Sequence, residues 1–175
     1  KELLAEAGYP GGKGLPILRY DAPYNTKISR NSYELFKGYV NEIGIKTSLI
    51  VNDWPNFLNK LETGDFQLAA EVLWYGDYPD PQNFLQLLYS PNSGQTNFTR
   101  YKNAEFDQLY EKTITMQPSP ERTQIYRTMT AIAEKDHPII FDIKPLDYDI
   151  IHKRLRNYRH NQFARNTAQY LEVVE

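Results

Sequence analysis

The chain has 175 residues, of which 41 % are hydrophobic, 14 % aromatic and 24 % charged, which supplies core material for one main domain and excludes a disordered sequence. With 20 basic and 22 acidic side chains the formal net charge is -2, so no overall field draws nucleic acid or an anionic membrane toward the protein. No apolar run approaches the roughly 18 residues that cross a bilayer, and the absence of cysteine removes disulfides, thiolate metal sites and cysteine nucleophiles.

Residues 1–7 read as a helix that Gly8 ends. A chain that opens in mid-helix without Met is expected to be a piece of a longer protein. After the glycine-rich turn at 10–14, residues 15–20 fit a strand. From about residue 29 to 43, Tyr33, Phe36, Val40 and Ile43 recur at helical spacing, and Gly44 is placed to end that helix in a left-handed conformation. Residues 45–51 form the next strand; Asp53 caps a helix over about 54–61, Gly64 ends it, and 66–74 make a third strand. The order β-α-β-α-β with short connections predicts parallel strands in an open α/β sheet, with ligands at the carboxyl ends of the strands. Asp77 lies just past such an end.

Downstream, Asn103 can cap a helix carrying Phe106, Leu109, Tyr110 and Thr113 on one face, and Ser119-Pro120 opens another carrying Ile125, Met129, Ile132 and Ala133. Both helices are expected to pack on the sheet. Residues 139–143, 148–151 and 170–174 are further strand candidates, separated by polar and basic linkers such as 154–166.

The segment Trp74-Tyr75-Gly76-Asp77-Tyr78-Pro79-Asp80-Pro81 carries the most chemistry. By residue type alone, Asp77 and Asp80 are turn builders, because Asp and Pro dominate such stretches. Asp80 can also cap a helix that begins near Pro81. Trp74 and Tyr75 either pack in the core or line a side-chain pocket beside backbone groups that pair with an extended peptide. Asp53, Asp77 and Asp80 have no spacing that defines a hydrolytic acid/base pair. His137, His152 and His160 have no metal-ligand spacing, so no metal site is expected. The basic group His152, Lys153, Arg154, Arg156, Arg159 and Arg165, with Tyr148, Tyr158 and Tyr170 around it, reads as a solvated linker or a face toward an absent part of the protein. With a balanced net charge it predicts no nucleic-acid binding.

Several stretches in order carry a resemblance: residues 3–10, Leu-Leu-Ala-Glu-Ala-Gly-Tyr-Pro; Glu42-Ile43-Gly44-Ile45-Lys46 leading to Asp53-Trp54; Gly64-Asp65-Phe66-Gln67-Leu68; the 74–85 segment; Asn103-Ala104-Glu105-Phe106-Asp107; and His152-Lys153-Arg154. Together they resemble the extracellular solute-binding proteins that include the oligopeptide- and dipeptide-binding proteins of bacterial ATP-driven importers. The resemblance implies the carboxy-terminal part of a two-lobed periplasmic-binding-protein-like fold, of class α/β, with an open mixed sheet and flanking helices. Residues 1–138 would form the second, ligand-binding lobe, and 139–175 would complete it and return toward the missing N-terminal lobe.

The resemblance further implies a binding protein without catalysis or cofactor, in which Asp77 holds the amino terminus of the ligand. Trp74, Tyr75 and Tyr78 would line the site beside it, and Asp80 would be structural. A carboxylate in a closing, water-poor cleft makes charge-assisted hydrogen bonds to an ammonium group, which suits that role. The implied partners are a peptide or other small solute and the permease of an ABC transporter, and the protein is expected to be a monomer. Its expected location is extracytoplasmic: periplasmic, or lipid-anchored at the cell surface. Family members that grip the ligand's carboxylate do so with basic residues on nearby strands, where this chain has Glu71, and related proteins carry nickel complexes, haem or sugars. A carboxylate-based hydrolase and a sensory ligand-binding domain are the alternatives.

Overall fold

A computed structural model of the chain describes residues 1–70, 74–140, 148–161, 163 and 166–174. The chain divides into two compact units, Lys1–Leu73 and Trp74–Glu175.

The first unit contains α1 (Glu2–Glu6), β1 (Leu18–Ala22), α2 (Lys27–Glu42), β2 (Thr47–Val51), α3 (Trp54–Thr63) and β3 (Leu68–Ala69). Its three strands are parallel in the order β2-β1-β3, with Tyr20 opposite Leu49 on one side and Leu68 on the other. The predicted β-α-β-α-β order is therefore realised, with β1 at the centre. Side chains alternate across that strand. Tyr20 and Ala22 bury against Tyr33 of α2, with Phe36, Leu49 and Leu68 around them, and the Tyr20 ring centroid lies 5.0 Å from those of both Tyr33 and Phe36. Asp21, between them in sequence, is fully buried and binds Lys60 of α3 at 2.5 Å and Asn52 at 3.1 Å through Oδ1. Its Oδ2 has no hydrogen-bond partner among the described residues.

Local chemistry sets the ends of these elements. Thr26 accepts the Ser29 N–H and so starts α2 two residues earlier than the apolar spacing predicts. Asp53 accepts the Asn56 N–H at 2.9 Å, and Gly64, with φ of 80°, returns its N–H to Lys60. Gly44 does more than end α2. At its φ of +95°, a Cβ would stand 2.1 Å from the Gly11 carbonyl oxygen, and one on Gly12 would stand 1.8 Å from that of Gly44. Two turns thus meet backbone to backbone, which only glycine permits.

The second unit contains α4 (Gln82–Leu85), α5 (Ala104–Ile114), α6 (Pro120–Asp136) and a two-stranded antiparallel ribbon of β4 (Leu155–Arg156) with β5 (Glu172–Val173). Asn103 and Ser119 cap α5 and α6 as predicted, accepting the N–H groups of Phe106 and Arg122. The two helices face each other around a core in which Phe106 and Tyr110 meet Ile125, Tyr126, Met129 and Ala133, so their apolar stripes bury each other.

The β1 strand lies downstream of the predicted 15–20, because its register with β2 runs from Leu18 to Ala22. Of the predicted strand at 66–74, Leu68–Ala69 is a strand, while Glu71 and its neighbours 72–73 lie outside the described residues. Residues 148–151 form no strand with any of the described residues, and Ile150 is 98 % exposed. The 139–143 candidate falls largely outside the described residues, and the one at 170–174 narrows to β5.

Candidate functional site

Trp74 to Pro81 opens the second unit as an irregular turn leading into α4. Trp74 is half-buried, and its indole Nε1–H donates to Asn83 Oδ1 at 2.9 Å. Asn83 lies on α4 with no exposed surface, and its Nδ2 stands 3.5 Å from Asp77 Oδ2. Asp77 itself is exposed, as are Tyr75, at 74 %, and Tyr78. The Tyr78 hydroxyl donates to the Gln82 side-chain carbonyl, whose amide nitrogen bonds the Tyr110 hydroxyl on α5. Gly76 runs under two rings: a Cβ there would be 2.7 Å from Phe163 and 3.4 Å from Phe84.

Asp80 has a different surrounding from Asp77. Its Oδ1 accepts the Gln82 N–H and the Tyr126 hydroxyl, both at 2.9 Å, and its Oδ2 takes Arg122 Nη1 at 2.5 Å. The Arg122 guanidinium also lies 5.0 Å over the Tyr126 ring and donates from Nε to the Thr113 carbonyl. Burial pushes the Asp80 carboxyl up, but the Gln82, Arg122 and Tyr126 hydrogen bonds and the Arg122 charge outweigh it and hold the group below its usual range. Burial, with the bond to Asp80, raises the Tyr126 hydroxyl. Asp80 is thus a clamp between the turn, α4 and α6, as its structural reading requires. Two open hollows flank it, of about 550 Å³ against α6 and about 350 Å³ between Tyr78, Phe84 and Phe163.

In the first unit, Tyr24 follows β1 and Trp54 follows β2, both past the carboxyl ends of parallel strands. Their rings are parallel within 6° at 6.3 Å, and each is about half exposed, 48 % and 46 %. An apolar platform in that position is where open α/β sheets take ligands.

The structure therefore brings Asp77, Trp74 and Tyr78 into one network with α4, and leaves Tyr75 projecting from it. Sequence reasoning missed Asn83, Arg122, Tyr126, Phe163 and Tyr24. Arg122 and Tyr126 share a helix face by their spacing of four, but nothing in the sequence ties that face to Asp80. The histidines are dispersed: His137 ends α6 at φ of 51°, His152 accepts the Arg154 N–H in a turn, and His160 pairs with Asp149 at 2.9 Å. Among the described residues no group of three His, Cys, Asp or Glu side chains could hold a metal ion, and no helix is long and apolar enough to cross a membrane.

Residues 1–96, more than half of the chain, match the family of bacterial extracellular solute-binding proteins, family 5, in its middle part. The chain belongs to this family. It is 31 % identical to heme-binding protein A of Haemophilus influenzae over 171 residues, covering 94 % of this chain and 30 % of that protein. Against the periplasmic oligopeptide-binding protein OppA of Escherichia coli it is 32 % identical over 145 residues, covering 80 % of this chain and 25 % of OppA. The solved structure of HbpA2 from Haemophilus parasuis superposes with a TM-score of 0.77 at 25 % identity, over 99 % of this chain and 34 % of that one. The chain thus spans about a quarter to a third of the length of these relatives. The α/β fold expected from the sequence is the fold of these binding proteins.

Proposed function

We propose that the chain is part of the solute-binding component of an ATP-driven importer, which captures oligopeptides or dipeptides in a cleft between two lobes and presents them to a membrane permease. Asp77 is the clamp for the ligand's ammonium group, with Trp74, Tyr75 and Tyr78 beside it. The observation that carries this reading is the turn itself: an exposed carboxylate on a segment fastened by Trp74, Tyr78 and Asp80. Membership of the solute-binding family and the likeness to an oligopeptide-binding protein support it. Main-chain pairing lets such a site accept many sequences, since every peptide offers the same backbone groups. The parent protein acts outside the cytoplasm, as a monomer that closes on its ligand by hinge motion without chemical turnover.

Calorimetry on the full-length parent tests this with trialanine and N-acetyl-trialanine. The free peptide should bind about tenfold or more tighter, the worth of a charge-assisted hydrogen bond, and Asp77→Ala should abolish the difference. Mass spectrometry should recover the peptide intact. Equal affinities for the two peptides would rule out the ammonium clamp, and multiple turnovers would rule out the transport reading.

A porphyrin solute is the second reading, favoured by the identity to heme-binding protein A over 94 % of the chain. A titration with haem in the same calorimeter separates the two.

A further inference from the structure

We propose that the hollow between Tyr78, Phe84 and Phe163 is a pocket for the side chain of a peptide's first residue, selecting a large apolar one, and that Gly76 keeps its wall in place. The inference rests on the chain taking peptides at the turn that runs from Trp74 to Pro81. The walls are aromatic and open to water: Tyr78 is 40 % exposed, Phe84 is 45 % exposed and Phe163 is half-buried. They enclose about 350 Å³, with Pro79, Pro81 and Leu85 also in the lining. That volume stands at the lower end of ligand cavities, with room for one ring and not for a whole peptide. Apolar surface in contact with water gains free energy when an apolar group covers it.

The pocket is held from behind. The Tyr78 hydroxyl donates to Gln82, and Gln82 donates to the buried Tyr110 on α5, whose ring centroid lies 4.5 Å from that of Tyr89. The polar tip of Tyr78 is thereby satisfied, and its ring serves as wall. Asp80, which also lines the hollow, is fastened by the Gln82 N–H, Tyr126 and Arg122. Walls fixed before binding cost little ordering when ligand arrives. Gly76 adds a constraint of another kind. Its φ is outside the left-handed region, so the backbone does not call for glycine; the rings do. A Cβ would stand 2.7 Å from Phe163 and 3.4 Å from Phe84, so any side chain there drives the Phe163 ring out of position. Asp77 lies between Gly76 and Tyr78. A peptide's first side chain is borne on the carbon next to its ammonium group, so it is the one within reach of this hollow.

Calorimetry on the full-length parent compares Phe-Ala-Ala, trialanine and Ala-Ala-Phe. Phe-Ala-Ala should bind about tenfold or more tighter than trialanine, the worth of burying one ring. Phe163→Ala and Gly76→Ala should each cut the ratio of those two affinities about fivefold or more, and Phe163→Leu should restore most of it. A ratio near one in the wild type, an equal gain for Ala-Ala-Phe, or variant losses that are equal on both peptides would overturn the proposal. A second arm needs no variant. The peptide 4-benzoylphenylalanyl-Ala-Ala, photolysed on the wild-type parent and mapped by mass spectrometry, should label Tyr78, Phe84 or Phe163, and label placed elsewhere overturns the pocket. If the parent binds the peptides without regard to their first residue, the pocket falls and the peptide reading stands. If it binds none of them, both fall.

Discussion

Asp77, the proposed ligand clamp, and Asp80 lie three residues apart on one turn in unlike surroundings. Asp80 accepts three hydrogen bonds, one of them from its ion-pair partner Arg122, and its carboxyl is held below the usual range. A group whose folded value is depressed contributes stability that is present above its unfolded value and is lost as pH falls through the folded one. Arg122→Ala should therefore cost about 2 kcal/mol of unfolding free energy at neutral pH, from a pair that is only partly buried. Urea unfolding should show that deficit shrinking as the pH drops through and below the ordinary carboxylate range. A deficit independent of pH would mean that Arg122 acts through its packing on Tyr126 alone. The capping half of the Asp80 role was legible in the sequence, from Asp beside Pro at a helix start. Its other partners were not, because Arg122 and Tyr126 stand 42 and 46 residues further on. Asp77 is singled out by resemblance alone, and Asn83, a buried amide on a one-turn helix, left no sequence signal at all.

Elements were legible where their signals are local. Asp53, Asn103 and Ser119 each cap the helix predicted for them, and Gly64 ends α3 in the left-handed conformation. What pairing across the chain decides was not legible: the register that places β1 at Leu18–Ala22, the lack of a strand between 148–151 and any of the described residues, and the mutual burial of α5 and α6. Gly44 shows the difference in one residue. The sequence marks it as a helix terminator, but its contact with the Gly11 carbonyl is visible only in three dimensions. Gly44→Ala should thus destabilise by about 2–4 kcal/mol, more than the ~1 kcal/mol of a left-handed penalty alone. Gly38→Ala makes the control, since nothing lies within 4 Å of a Cβ there inside α2, and it should stabilise by roughly 0.5–1 kcal/mol. Thermal unfolding of both variants distinguishes close approach from backbone preference, and equal losses would count against the packed-turn explanation.

At the scale of the molecule, the family and the α/β class were legible because their motifs are spread along nearly the whole chain. The two compact units were not, since the Gly76, Pro79 and Pro81 stretch just past residue 73 reads equally well as a turn within one unit. On the proposed reading, a chain that covers a quarter to a third of its relatives would supply only part of the cleft, and a cleft needs both walls to exclude water from the polar groups of a ligand. Calorimetry should find trialanine binding to this chain at least about 100-fold weaker than to the parent; parity would refute a two-walled site. The stacked Tyr24–Trp54 pair has a further consequence, an optical one. This chain has two tryptophans, one half-exposed on a tyrosine face and the other, Trp74, hydrogen-bonded to a buried amide. Its native fluorescence therefore comes from two rings in unlike polarity, and the unlabelled protein carries a separate built-in colour reporter for each unit.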